Sequence, residues 1–304
     1  MAASSTTRPA PLSELHLLMT YECNFECEHC FVWGGTSKGG TMTDEMLEHI
    51  LEQAEKFGTI EWIYFEGGEP SLNYEQLCSG VHMARERGFR TGIVSNACWA
   101  TTDTEALEWL QPFAGVVEDL SVSDDAYHDS REDPQNTLIA RRAAEQLGIP
   151  VDFISIGEAE MQAGPDRLAA GESTVLYRGR AAEKLAPHVQ QDPWSQFTKC
   201  PWENLRHPGR VHVDAFGNLH ICQGISIGNL NERSLTEIMH DYDPDTHPVT
   251  GPLLAGGPVE LVERYDLQHD QCYADACHLC YLSRCKLRDR FPGVLTPGQM
   301  YGTD

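Results

Sequence analysis

The chain has 304 residues, 41% of them hydrophobic, enough for one large globular domain or a large and a small one. With 22 basic and 46 acidic side chains the net charge is −24, which excludes a nucleic-acid backbone as partner and leaves a solvated acidic surface or a cationic substrate. No apolar run of about 18 residues exists, so no membrane span is expected, and residues 1–12, with one charged side chain, read as a flexible tail rather than a secretory signal.

Alternating Leu15, Leu17 and Met19 predict a strand over 14–20. Thr43 is a predicted N-cap, with Asp44 and Glu45 in the first turn, a stripe of Met46, Leu47, Ile50, Leu51 and Ala54, and Gly58 as the stop. A strand over 60–65, a helix over 74–87 and a strand over 90–95 follow. Thr102 and Glu105 form a capping box for a helix that reaches Leu110. Strands are expected over 116–123, 151–156 and 174–177, with a helix starting at Pro134 between the first two. Six strands joined by crossovers predict an α/β fold, a partial (β/α)6 TIM-like barrel over 13–188 whose active site lies at the C-terminal strand ends. Over 189–304 the alternation stops, Gly and Pro become frequent and cysteines accumulate, which predicts a small loop-rich unit held by metal.

Eleven cysteines without a signal sequence point to metal ligands or redox groups in a reducing, cytoplasmic setting rather than to disulfides. Cys23, Cys27 and Cys30 follow the first strand directly. Three thiolates on one loop can bind three irons of a four-iron cluster and leave the fourth open. Zinc would need a fourth ligand, and His29, adjacent to Cys30, would chelate under strain.

This loop resembles the cluster motif of the radical S-adenosylmethionine enzymes, with His29 where an aromatic residue or His is usual. The resemblance implies a partial β/α barrel and a [4Fe-4S] cluster whose open iron is chelated by S-adenosylmethionine. It also implies an electron donor such as flavodoxin or ferredoxin, and cleavage of the sulfonium to methionine and a 5′-deoxyadenosyl radical. Gly67-Gly68-Glu69-Pro70 resembles the family's methionine-binding turn: glycines allow close backbone approach, and Glu69 can accept from the ammonium group. Ser95 and Asn96, with Ser121 and Ser123, are candidate cofactor contacts at the third and fourth strand ends; such residues also often satisfy only backbone.

Farther on, a hairpin from Val211 to Ile221, turning at Phe216-Gly217-Asn218, would return Cys222 to Cys200, and Cys277 and Cys280 complete a four-sulfur set. This half is similar to the SPASM and twitch extensions of the family, with six cysteines against the full pattern's seven and a longer gap from Cys200 to Gly217. One auxiliary [4Fe-4S] cluster on Cys200, Cys222, Cys277 and Cys280 is the favoured reading; two clusters or a structural zinc are the alternatives. Cys272 and Cys285 are then candidate hydrogen-atom donors, or buried or substituting ligand cysteines. Cys78 reads as core packing, and Cys98 lies at the active-site end. Asp124, His128, Asp129 and Arg131, and Gly179-Arg180-Ala181, resemble further family segments.

The resemblance implies hydrogen-atom abstraction, followed by oxidation, crosslinking or epimerisation of a peptide or natural product; an aminoglycoside or sugar dehydrogenase or epimerase is the alternative. Only 22 residues precede Cys23, so no leader-peptide-binding domain is expected in front, whereas the charge favours a cationic small molecule. A non-catalytic iron–sulfur or zinc scaffold is the contrasting class, and it would not need the Gly67-Gly68-Glu69-Pro70 turn. No nucleic-acid or membrane partner is expected.

Overall fold

A computed structural model describes residues 11–125, 127, 135–157 and 172–303. Strands and helices alternate as β1 (Glu14–Leu18), α1 (Asp44–Phe57), β2 (Trp62–Glu66), α2 (Tyr74–Glu86), β3 (Arg90–Ser95), α3 (Asp103–Leu110), β4 (Asp119–Ser123), α4 (Gln135–Leu147), β5 (Val151–Ile156) and β6 (Glu172–Ser173). Successive strands pair in parallel in the order β1-β2-β3-β4-β5-β6.

Local chemistry sets the helix ends. The Thr43 side chain accepts from the Met46 amide, Gly58 closes α1 with φ 83°, and Thr102 accepts from the Glu105 amide. The α1 stripe of Leu47, Ile50, Leu51 and Ala54 is buried against Leu15, Leu17, Ile63, Phe65, Ile93, Leu120 and Val122 of the strands. Each such side chain contributes about 1.5–3 kcal/mol by leaving water. Because strand side chains alternate, that face commits the intervening residues (His16, Tyr64, Glu66, Ser121 and Ser123) to the inside of the curved sheet.

The expected strand over 174–177 is corrected: β6 is two residues long and ends at Ser173. Val175 and Tyr177 are buried instead in a small apolar cluster with Ala181, Leu185 and Ala186, so their alternation reports burial without ladder pairing.

The second half contains α5 (Arg180–Lys184), β7 (Asp192–Pro193), β8 (Arg210–Asp214), β9 (Asn218–Cys222), β10 (Ile225–Asn229), α6 (Leu235–Asp241), α7 (Thr250–Arg264), β11 (Cys272–Tyr273) and α8 (Ala276–Leu287). The expected hairpin is β8–β9; its turn is held by the Asp214 carboxylate, which accepts from the Phe216 and Asn218 amides at 2.9 Å. β8 runs parallel to β1, pairing Glu14 with Arg210 through Leu18 with Asp214, so β8, β9 and β10 carry the barrel sheet on to nine strands. This half is more helical than its Gly and Pro content suggests. Part of the reason is in α7, which breaks at Gly256–Gly257 before Pro258. A Cβ on Gly257, whose φ is +67°, would lie 2.2 Å from the Lys199 nitrogen, so the break makes room for the chain entering Cys200.

Leu12, placed in the tail by sequence, is buried in the main core. All eleven cysteines are free thiols. No helix among the described residues is long and apolar enough to cross a membrane.

Candidate functional site

The loop after β1 carries Cys23, Cys27 and Cys30 over the C-terminal end of the barrel. Cys23 is buried. Its sulfur accepts from the Phe25 amide at 3.4 Å and faces Asn96 Nδ2 at 3.8 Å, while Cys30 Sγ accepts from the Gly34 amide at 3.3 Å. Burial, with Cys30's charge among the smaller causes, pushes the Cys23 thiol up to about 12 and Cys27 above its ordinary value, so the three sulfurs lie within electrostatic reach. His29 turns away, its Nε2 3.6 Å from Asp125 Oδ2 and its ring stacked on Tyr127.

Sulfur spacing tests the metal. A single zinc with Zn–S bonds of about 2.3 Å draws its sulfurs to within about 4 Å of one another. Among the described residues, the only set of three metal-ligating atoms mutually within 4.8 Å contains no cysteine. Three thiolate sulfurs on one loop are the donor set of a four-iron cluster with one iron left open.

Two glycines seat this loop. Gly67 has φ +147°, and a Cβ on Gly68 would fall 2.0 Å from the Glu22 carbonyl oxygen. Their close approach lets Gly68 N donate to Thr20 O at 2.6 Å and Glu69 N to Glu22 O at 2.8 Å, fastening the turn after β2 to the cysteine loop. Glu69 is fully buried: Oε1 accepts from Ser71 N and Ser95 Oγ, and Oε2 from Asn96 N at 2.7 Å. Burial raises its pKa despite those three donors. Three of about four acceptor positions are therefore taken, two in tying the turn after β2 to the end of β3 and one within the turn itself. Asn96 reaches both Cys23 and Asn24, so it lies in the cluster neighbourhood, as does Cys98, whose thiol is 3.5 Å from Ser71 Oγ. Ser121 donates to Asp119 at 3.3 Å, and Ser123 ends β4 on the same face. His128, Asp129 and Arg131 lie outside the described residues.

The turn before α5 supplies what sequence reasoning left without a role. A Cβ on Gly179, φ +61°, would lie 2.6 Å from both Cys30 O and Phe31 Cα. Arg180 then donates from its amide to Cys30 O, from Nη1 to Cys27 O at 2.8 Å and from Nη2 to Gly34 O at 2.7 Å. Arg180 thus fixes three carbonyls of the cysteine loop, two through its buried guanidinium and one through its amide. Replacing it, Arg180→Met, removes charged hydrogen bonds worth about 1.5–3 kcal/mol each. The expected result is a several-degree fall in Tm and substoichiometric iron at this loop; unchanged iron content and Tm would contradict the role.

Cys200, Cys222, Cys277 and Cys280 line one pocket with Arg178, Glu203 and Arg284. Cys222 comes from the end of β9, Cys277 and Cys280 from the first turns of α8, whose N-cap Asp275 accepts from the His278 amide at 2.7 Å. Arg178 Nη1 lies 3.3 Å from Cys222 Sγ and 3.7 Å from Glu203, and Arg284 is 1% exposed. Arg284 is fully buried and Arg178 partly buried, with Glu203 as the carboxylate lining this pocket; thiolates on a metal cluster would supply further negative charge. The Nε atoms of both arginines are buried without hydrogen-bond partners among the described residues, which agrees with an anionic guest. Burial pushes the metal-free Cys280 thiol up to about 12. Cys272, in β11, and Cys285, beside Tyr281 and Arg284, do not line this pocket, and Cys78 packs on the main core.

Comparison with known proteins agrees with this geometry. The family model described as the Radical SAM superfamily matches residues 17–161. A tungsten-containing aldehyde ferredoxin oxidoreductase cofactor-modifying protein of Pyrococcus furiosus is 36% identical over 29% of this chain and 25% of its own length. The putative peptide biosynthesis protein YydG of Bacillus subtilis is 26% identical over 35% of this chain and 34% of its own. The chain thus spans about a quarter to a third of the curated relatives it matches. The crystal structure of BtrN in complex with AdoMet and 2-DOIA superposes with a TM-score of 0.51 at 17% identity, covering 77% of this chain and 84% of that one, a likeness of fold. The matched span begins inside β1 and takes in the cysteine loop, the glycine turn and the strands through β5, so residues 17–161 carry a radical SAM domain.

Proposed function

We propose that the chain reductively cleaves S-adenosylmethionine at the Cys23, Cys27, Cys30 site and abstracts a hydrogen atom from a peptide or natural-product substrate. A second [4Fe-4S] cluster on Cys200, Cys222, Cys277 and Cys280 assists oxidation or epimerisation. The observation that carries this reading is the shared pocket of those four cysteines with Arg178 and Arg284; Cys222 ends β9, a strand of the same sheet as β1, which leads into the cysteine loop. When bound, the first cluster supplies the electron that breaks the sulfonium. The chain's own part is to hold the loop through Arg180, Gly67 and Gly68 and to keep water from the sulfurs by burial. Gly67, Gly68, Glu69, Pro70, Ser95, Asn96, Ser121 and Ser123 would line the cofactor. Cys272 and Cys285 stand outside the four-sulfur pocket, which supports one auxiliary cluster and leaves either thiol as a candidate hydrogen-atom donor.

The likeness to YydG favours a peptide. The −24 charge is the specific observation favouring the second reading, a cationic aminoglycoside or sugar. The test is anaerobic incubation of reconstituted protein with S-adenosylmethionine, dithionite and deuterium-labelled candidates of both kinds. Deuterium in 5′-deoxyadenosine identifies the abstracted position and the substrate class. Absence of 5′-deoxyadenosine from protein with both clusters intact would overturn the reading.

A further inference from the structure

The inside of the barrel holds a second constellation, made by strand register alone. β1–β2 pairing sets Leu18 opposite Glu66, and β1–β8 pairing sets His16 opposite His212. Glu66, at the end of β2, reaches down one pleat to both imidazoles. His16 Nδ1 lies 3.4 Å from Glu66 Oε2, and His212 Nε2 lies 3.2 Å from Glu66 Oε1. The other nitrogen of His16, Nε2, is 3.4 Å from Glu14 Oε2. Its ring is clamped by stacking on Tyr64, with centroids 4.6 Å apart.

We propose that His16, Glu66 and His212 bind one divalent transition-metal ion in the barrel lumen, in addition to the metal carried by the cysteines. Three features support it. One ligand atom from each residue lies within 4.8 Å of the other two, and two nitrogens with a carboxylate oxygen are a donor set suited to zinc or iron(II). Ligands bonded tetrahedrally at about 2.0–2.1 Å stand about 3.4 Å apart, and the two imidazoles lie 3.4 and 3.2 Å from the Glu66 carboxylate oxygens. Glu66 Oε1 is buried and has no aligned hydrogen-bond donor among the described residues, although His212 Nε2 is 3.2 Å away, which leaves it a lone pair for an ion. Glu14 on the far nitrogen of His16 matches the carboxylate that usually orients and strengthens a metal-bound imidazole.

The competing arrangement is a protonated strap. Burial alone would lower the His16 pKa, but Glu66 and Glu14 raise it to about 9, so the metal-free ring is an imidazolium between two carboxylates. An ion takes that proton's place. With three protein ligands the ion keeps a position open to the lumen, suited to a hydroxyl or carboxylate oxygen of a molecule bound there.

The test is to expose cluster-replete protein to zinc, remove the excess by gel filtration, and measure metal content and the zinc X-ray absorption spectrum. The expected result is one zinc per chain with only nitrogen and oxygen neighbours, at about 2.0–2.1 Å. In His212→Gln and in Glu66→Gln that zinc is lost while iron and sulfide stay at the wild-type count. Wild-type protein that retains no zinc overturns the proposal. So does a sulfur shell at about 2.3 Å, which would place the zinc on cysteines. The wild-type spectrum decides the matter even if a variant fails to fold.

Discussion

Cys27→Ala is expected to abolish 5′-deoxyadenosine formation while leaving the rest of the molecule assembled. The loop offers three thiolates, and the alanine methyl cannot replace one. Cys27 is also the residue whose carbonyl Arg180 holds at 2.8 Å, so its backbone stays in place and the loss is one of ligation. Reconstituted protein should lose about four irons per chain and keep about four, the second cluster's share. Cleavage of S-adenosylmethionine should fall to background. Retained cleavage would sink the assignment of the first site; retained iron with lost cleavage would move the open corner of the cluster elsewhere.

Cys222→Ala should give the complementary outcome: about four irons lost from the second pocket, S-adenosylmethionine cleavage partly spared, and substrate conversion removed. Cys222 is where the guanidinium of Arg178 lands, at 3.3 Å, so the substitution also leaves Arg178 without its sulfur partner in a buried setting. A several-degree drop in Tm should accompany the loss, larger than for an exposed cysteine. An unchanged product yield would contradict any part for this pocket in the chemistry.

Features specified by neighbouring residues were legible in the sequence. Thr43 and Gly58 bracket α1 as read, β3 and β5 have the expected bounds, and the hairpin turns where Phe216-Gly217-Asn218 lies. The cysteine loop could be singled out for the same reason: three cysteines within eight residues need no tertiary knowledge. What escaped depends on register between distant strands or on side chains reaching across the fold. His16 and His212 become neighbours only because β8 docks in parallel on β1. Arg178 and Arg284, an ordinary pair of charges in sequence, become conspicuous once both line the pocket of the four sulfurs. The signal available was weak: Arg178 precedes the recognised Gly179-Arg180-Ala181, and Arg284 lies four residues after Cys280, one helical turn away. The 174–177 segment misled because alternation is shared by ladders and by any ribbon with one buried edge.

The turn at Gly179 separates two neighbouring arginines: Arg178 goes to Cys222 and Arg180 to the carbonyls of Cys27 and Gly34. Because a Cβ at Gly179 would strike Cys30 and Phe31, the peptide between them cannot swing aside. On the proposed reading, each pocket would bind its metal separately, yet both would share this short segment, so filling one would stiffen the approach to the other.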